Sequence, residues 1–267
     1  MAIQGCSDNT AQQTSTTKSM SEAMPAEKVS VSAEEAYLNM VDNFFQEQLK
    51  LEPIYATFVG VNKYNDQFGD SLSEAYLKAR HDLNAKYFAE AKKIDVDALP
   101  SDLKLSYSMF IYDRDMALMS ETYPEHFLPM NQFYNTVFTM VQLGSGESAQ
   151  PFNTVKDYQN WLSRLNGFVT WLQLAQVRME EGVNSKVVLP KVLVDRMIPQ
   201  LAAQVVSNPE DSLFYSPIKL LPDSFTDEQK SNLTQDYKDF LSTKLIPALT
   251  DLHQYVQNSY LPNARAS

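Results

Sequence analysis

Few residues in this chain have side chains that could do chemistry. Its 267 residues include three histidines, His81, His126 and His253, and one cysteine, Cys6. No two histidines stand in a His-Glu-x-x-His run, the spacing that lets one helix face offer two imidazoles to zinc. At helical spacing His81 has Leu77, Lys78, Asn84 and Ala85 beside it, and His253 has Leu249, Thr250, Val256 and Gln257. Neither finds an acid or a second imidazole on its own helix face, so both read as ordinary surface or half-buried histidines. No zinc is therefore expected on this chain's own residues. Gly146-Glu147-Ser148-Ala149-Gln150 comes within one residue of a nucleophile elbow, but Gln150 stands where a glycine is needed. The elbow also requires a strand before the serine and a helix after it, and Pro151 follows instead, so Ser148 reads as a loop serine. Glu180 and Glu181 point about 100° apart on a helix and cannot share one site as acid and base. A single cysteine excludes both an internal disulfide and a cysteine zinc cluster, and no glycine-rich phosphate loop is present.

Cys6 follows Ile3-Gln4-Gly5, and a long uncharged polar run follows it. Ile3 to Cys6 resembles the end of a bacterial lipobox, in which a small residue precedes the cysteine that becomes the acylated N-terminus. Ser7 resembles the pattern that sorts such proteins to the outer membrane. The polar run suits a flexible tether. The alternative is a chance cysteine in an unstructured leader. Met1-Ala2 stands where the charged and apolar parts of a signal peptide would be needed. As written, then, the chain is expected to be soluble and not acylated. With its signal peptide it would be an outer-membrane lipoprotein facing the periplasm, held to the membrane through lipidated Cys6.

The elements that must position any site are helices. With 44% hydrophobic residues, 11% aromatics and only 7 glycines, the composition is that of a globular chain with long uninterrupted segments,. A formal net charge of -11 argues against nucleic acid as a partner,. Residues 1–31 show no periodicity and are expected to be a disordered tether, leaving 32–267 as the helical domain. Capping boxes are expected at Ser32–Glu35, Ser71–Glu74, Thr154–Asp157 and Thr226–Gln229. A short helix is expected from Pro53 to Val59, a polar loop from Asn62 to Gly69, and a helix after Pro100 with Leu105, Met109, Tyr112, Met116 and Met119 along one side. The longest helix should carry Trp161, Leu165, Phe168, Leu172, Ala175 and Val177 inward and end at Gly182. Pro199 and Pro247 should each kink a helix. The fold class is all-α, an irregular multi-helix array with long kinked helices.

Several stretches resemble one family when taken in order. They are "PIYATFVGV" from Pro53 to Val61, Asn62-Lys63-Tyr64-Asn65-Asp66, Ile94-Asp95, and Leu99-Pro100. Then come Pro151-Phe152, Asp157-Tyr158, Trp161 to Leu165, Glu181-Gly182, Pro190-Lys191-Val192, and Tyr260-Leu261-Pro262-Asn263-Ala264-Arg265. Together they resemble the N-terminal half of the bacterial domain-of-unknown-function 885 family, whose members are often envelope lipoproteins. The resemblance implies kinship with the helical zinc metallopeptidases, a class of hydrolase. It also implies a His-Glu-x-x-Pro-Gly-His-His catalytic run, with a further glutamate, in the C-terminal half. Nothing of that run lies before Ser267. The resemblance therefore implies a helical portion inactive alone, with zinc expected only together with the missing C-terminal half. That half is the expected partner, and a peptide is the expected substrate. Tyr158 and Arg164 match family positions, either in a cleft or in helix packing. The alternative is a non-enzymatic helical envelope module that binds a partner or supports an assembly.

Overall fold

The longest element shows how the sequence builds the rest. In the computed structural model, which describes residues 31–266, a helix runs from Val155 to Ser185. Thr154 starts it: its hydroxyl accepts from the Asp157 N–H while the Asp157 carboxylate accepts from the Thr154 N–H, the reciprocal cap the sequence predicts,. The helix then buries Tyr158, Trp161, Leu165, Phe168, Trp171, Leu172, Ala175 and Met179 at three- and four-residue intervals. Each fully buried large apolar side chain contributes about 1.5–3 kcal/mol, so this one face holds the main core together. Val177, expected inward, faces out.

In chain order the helices are α1 (Ala33–Leu51), α2 (Pro53–Phe58), α3 (Glu74–Ala91), α4 (Ser101–Ser120), α5 (Thr136–Leu143), α6 (Val155–Ser185), α7 (Lys191–Ala202), α8 (Ser216–Lys219), α9 (Asp227–Phe240) and α10 (Ile246–Tyr255). The fold is all-α, and among the described residues the single β-bridge joins Pro190 to Arg265. The main core gathers α5, α6, α7, α9 and α10. A satellite core joins α1, α3 and α4 through Tyr37, Met40, Phe44, Leu83 and Tyr87. The expected tether, Cys6 included, lies outside the described residues apart from Val31.

Three departures from the sequence reading have local causes. The cap of α3 sits at Ser73 rather than Ser71, because Asp70 Oδ1 takes the N–H groups of Leu72 and Ser73 and turns the chain before the helix begins. Gly182 does not end α6, which runs three residues further to a left-handed Lys186 at φ 61°. A Cβ at Gly182 would lie 2.7 Å from the Val187 carbonyl oxygen and 3.1 Å from Phe127 Cβ, so this glycine permits close approach. Pro247 interrupts less than expected. A π-helical stretch, Leu241–Leu245, lies just before it and joins α9 to α10, and a second, Val256–Tyr260, extends the same rod. Proline has no N–H to give, and a wider turn accommodates that loss. The Ser242 hydroxyl adds a hydrogen bond back to the Lys238 carbonyl and the Thr243 hydroxyl one to the Asp239 carbonyl.

Burial in these cores holds several phenols neutral. Tyr158 and Tyr255 are pushed up to about 12 by desolvation first, with Asp157 beside one and Glu180 beside the other adding to it, and Tyr237 goes well above its ordinary value for the same first reason. The unfolded chain releases these protons near pH 10. Stability from these groups is therefore fully present below about pH 10 and is lost as pH rises through about 12,. Urea melts should be flat from neutral pH to about pH 9 and fall steeply above pH 10. An ultraviolet phenolate titration that reached its full amplitude below pH 11, with the helix signal intact, would contradict this.

Candidate functional site

The expected polar loop after α2 is anchored in the protein at three residues, while Asn62, Lys63 and Gln67 stay exposed. Tyr64, Asn65 and Phe68 are buried, and their backbone needs partners that water cannot supply. Arg164 of α6 supplies them. Its Nε donates to the Gln67 carbonyl at 2.8 Å, and its Nη2 donates to the Tyr64 carbonyl at 2.7 Å, to Thr57 Oγ1 at 2.9 Å and to the Pro53 carbonyl at 3.3 Å. Its Nη1 donates to Gln150 Oε1 at 2.7 Å. The side chain is wholly buried, and the bonds above go to carbonyl, amide and hydroxyl oxygens. Burial pulls the guanidinium down to about 10, with Asp66 opposing the shift, so it remains charged at neutral pH.

Fourteen residues along α6, about 21 Å at 1.5 Å per residue, Arg178 holds the other end of the same segment. It donates to the Leu72 carbonyl at 2.9 Å, to Glu74 Oε1 at 2.7 Å and to Glu181 Oε2 at 2.8 Å. Between the two arginines Phe68 packs against Phe168 and Trp171, with ring centroids 5.4 and 6.1 Å away. A Cβ at Gly167 would sit 2.8 Å from Phe68 Cβ, so the absence of a side chain there lets the wedge enter. Trp171 Nε1 donates to Ser71 Oγ at 2.8 Å.

Phe68 and Gly69 form a partition between two clefts. One, of about 300 Å³, is walled by Asp70, Gly167, Thr170, Trp171 and Leu174. The other, of about 280 Å³, is walled by Glu52, Ile54, Tyr55, Ser71, Tyr76 and Thr139. Tyr76 is pushed up to about 12 by burial and then by Glu52, so at neutral pH it is a phenol able to donate a hydrogen bond,. A carboxylate, a phenol and several hydroxyls over an apolar floor can bind a short polar chain. They do not include a nucleophile paired with a base.

The structure sets the sequence candidates in different places. Arg164 and Tyr158 both lie in the interior of α6's buried face. The Tyr158 hydroxyl reaches the Pro217 and Leu220 carbonyls at 3.4 Å, and its own carbonyl accepts from Tyr237 at 3.1 Å. Cys6 is outside the described residues. His81 has an acid partner after all: its Nδ1 lies 2.6 Å from Glu121 Oε2. That acid comes from the residue just past α4, so a search along α3 alone misses it. Among the described residues no group of three or more His, Cys, Asp or Glu is placed to hold a metal ion. No described helix is long and apolar enough to cross a membrane. Gln150, the misfit of the imperfect elbow, is the buried amide that receives Arg164. Trp171, an aromatic that could line a cleft or form core by its helical spacing, does both, whereas no motif points to Arg178. Two arginines on the apolar face of α6, at positions 164 and 178, are the sequence signal that could have found the clamp.

Fold and site define an all-α protein whose central helix grips an internal loop and frames two small clefts. The chain belongs to the family described as bacterial protein of unknown function (DUF885), which it matches over residues 53–267. No curated protein matches it. A solved structure, described as "the putative lipoprotein from Colwellia psychrerythraea", is similar with a TM-score of 0.67 at 16% sequence identity, over 86% of this chain and 42% of that one. This chain thus spans less than half the length of that relative, and at such identity the likeness shows the fold alone.

Proposed function

We propose that this chain is the N-terminal helical part of an envelope lipoprotein of zinc-metallopeptidase-like architecture, inactive by itself. Its arginine-clamped loop and clefts form one wall of a peptide-binding channel. The metal ligands and the general base belong to the part of the family fold beyond it. The observation that carries this reading is the lopsided match: 86% of this chain against 42% of the solved relative. The clefts beside Phe68 and Gly69 support a binding role, since they offer hydrogen-bonding groups without a nucleophile or a set of metal ligands. Bringing a polypeptide to a second, catalytic part is a positioning contribution, which can account for much of an enzyme's rate. Sequencing the native reading frame past Ser267 tests the proposal. A His-Glu run with two nearby histidines is expected. A stop codon directly after Ser267 would refute the reading and leave the non-enzymatic module, which the exposed apolar face of α4 favours.

The envelope location rests on Cys6. With its native signal peptide the protein is expected to carry lipid on Cys6 and to fractionate with membranes. Two acyl chains give stable anchoring where one is marginal, so Cys6→Ser should release the signal-bearing protein almost completely. A Cys6→Ser variant that stays in the membrane fraction, with no lipid mass on the wild-type cysteine, would refute the lipidation.

A further inference from the structure

Helix α4 has two apolar faces, and the described residues cover only one. Leu103, Tyr107, Phe110 and Ile111 pack half-buried on the satellite core. On the other side Leu105, Met109, Tyr112 and Met119 are 68, 58, 62 and 49% exposed, with the half-buried Met116 in the same row. The row advances by four, three, four and three residues. That 3.5-residue period is the seam on which a second helix lies. A groove of about 390 Å³ runs beside it, with Tyr37 and Val41 of α1 on one wall and Leu105 and Met109 on the other. Large exposed apolar patches on a soluble surface mark contact sites.

The rim of the row selects the occupant. Asp102, Asp113 and Asp115 are exposed along it. The bases of α4 do not offset them. Arg114 turns inward, its guanidinium 4.2 Å from the Phe44 ring centroid and its Nη1 donating to Asn84, and Lys104 Nζ bonds the Asp97 carbonyl. A second copy would set these acids against their own kind, and an anionic bilayer would be repelled. A helix with an apolar stripe and lysine or arginine along its edges fits both the row and the rim.

We propose that the α4 row is the docking face for such a basic-edged amphipathic helix, supplied by the part of the family fold that this chain does not contain. This rests on the function proposed above: most of the solved relative lies outside the match, so a polypeptide able to cover the face exists there.

Methionine oxidation by hydrogen peroxide tests it. In this chain Met109 and Met119 should react quickly, with the buried Met140 and Met197 as slow internal references. In the protein continued past Ser267 in its native frame, Met109 and Met119 should react about tenfold more slowly, as expected of a face closed about nine-tenths of the time. In that longer protein Tyr112→Glu should return Met119 to its fast rate without changing Met140, and Asp113→Lys should speed Met109 and Met119 several-fold. Equal rates at Met109 and Met119 in the two proteins would overturn the docking face while the functional reading stood. A frame without a further folded part would overturn both. Protection in this chain alone that grows with its concentration would assign the face to a second copy. Protection that needs phosphatidylglycerol vesicles would assign it to a membrane. If Asp113→Lys has no effect, the basic edges are wrong.

Discussion

Replacing Arg164 with methionine is expected to lower the unfolding free energy by about 3–5 kcal/mol, because several acceptors lose their donor together at about 1–3 kcal/mol each where buried. The reason is asymmetric. Methionine fills much of the same volume and needs no hydration, so deleting the buried charge is in itself favourable. What it leaves behind is not. The Gln67 carbonyl and Gln150 Oε1 lose a donor inside the protein, and the carbonyls of Tyr64 and Pro53 lose one of their bonds. A buried polar group without a partner costs about 1–3 kcal/mol, and several are orphaned together. Arg164→Lys should recover roughly half the loss, because an ammonium can reach one or two of these acceptors but lacks the fork that spans them. Against a typical total of about 5–15 kcal/mol, the methionine variant should be partly unfolded at modest urea. Its loop from Val61 to Ser73 should be cut by protease before the helices. A loss below about 1 kcal/mol would mean that the loop is held by its aromatic packing and not by the arginine.

The second large effect is at Gly69. Its φ is 86°, in the left-handed region, and a Cβ there would lie 2.7 Å from Pro53 Cδ and 3.3 Å from the Leu51 carbonyl oxygen. Gly69→Val meets both penalties at once: about 1–2 kcal/mol for the backbone and more for the clash, giving a total of about 2–4 kcal/mol. Gly60 provides the comparison within the same molecule. Its φ is 83°, yet nothing lies within 4 Å of a Cβ placed there. Gly60→Ala should cost only the backbone part, about 1–2 kcal/mol. Matched denaturation curves for the two variants separate strain from crowding. Equal losses would show that Pro53 yields easily and that the partition between the two clefts is soft.

The helices were legible because their signals are local. Thr154 with Asp157 and Thr226 with Gln229 form the reciprocal caps the spacing predicts, and the main stripe of α6 is buried nearly as its period requires. The stretch from Asn62 to Gly69 was legible as a polar loop, but the burial of Tyr64, Asn65 and Phe68 within it was not. That burial depends on a guanidinium about a hundred residues later, a partnership that no local pattern announces. The α4 row was legible as apolar but not as uncovered, since periodicity says which residues share a face and not what lies against it. Gly182 shows the same limit: a glycine near an expected helix end reads as a stop, whereas here it makes room for the Val187 carbonyl.

Of the sequence-selected site residues, Tyr158 and Arg164 lie on the buried face of one helix, where their partners are backbone carbonyls, an amide and a hydroxyl. The clefts themselves, built from Glu52, Phe68, Gly69, Tyr76 and Trp171, come from four separate segments. Their spacing in sequence carries no motif, so only the fold could gather them.

On the function proposed above, the chain supplies a binding wall and no catalytic metal. Zinc content and peptide hydrolysis, measured together on the purified chain and on the protein continued past Ser267, test it most directly. The chain alone should retain well under one zinc after dialysis and should leave unstructured peptides intact. The continued protein should hold one zinc and cleave them until a chelator is added. One tightly bound zinc per chain in the shorter protein, with hydrolysis that a chelator abolishes, would contradict the account.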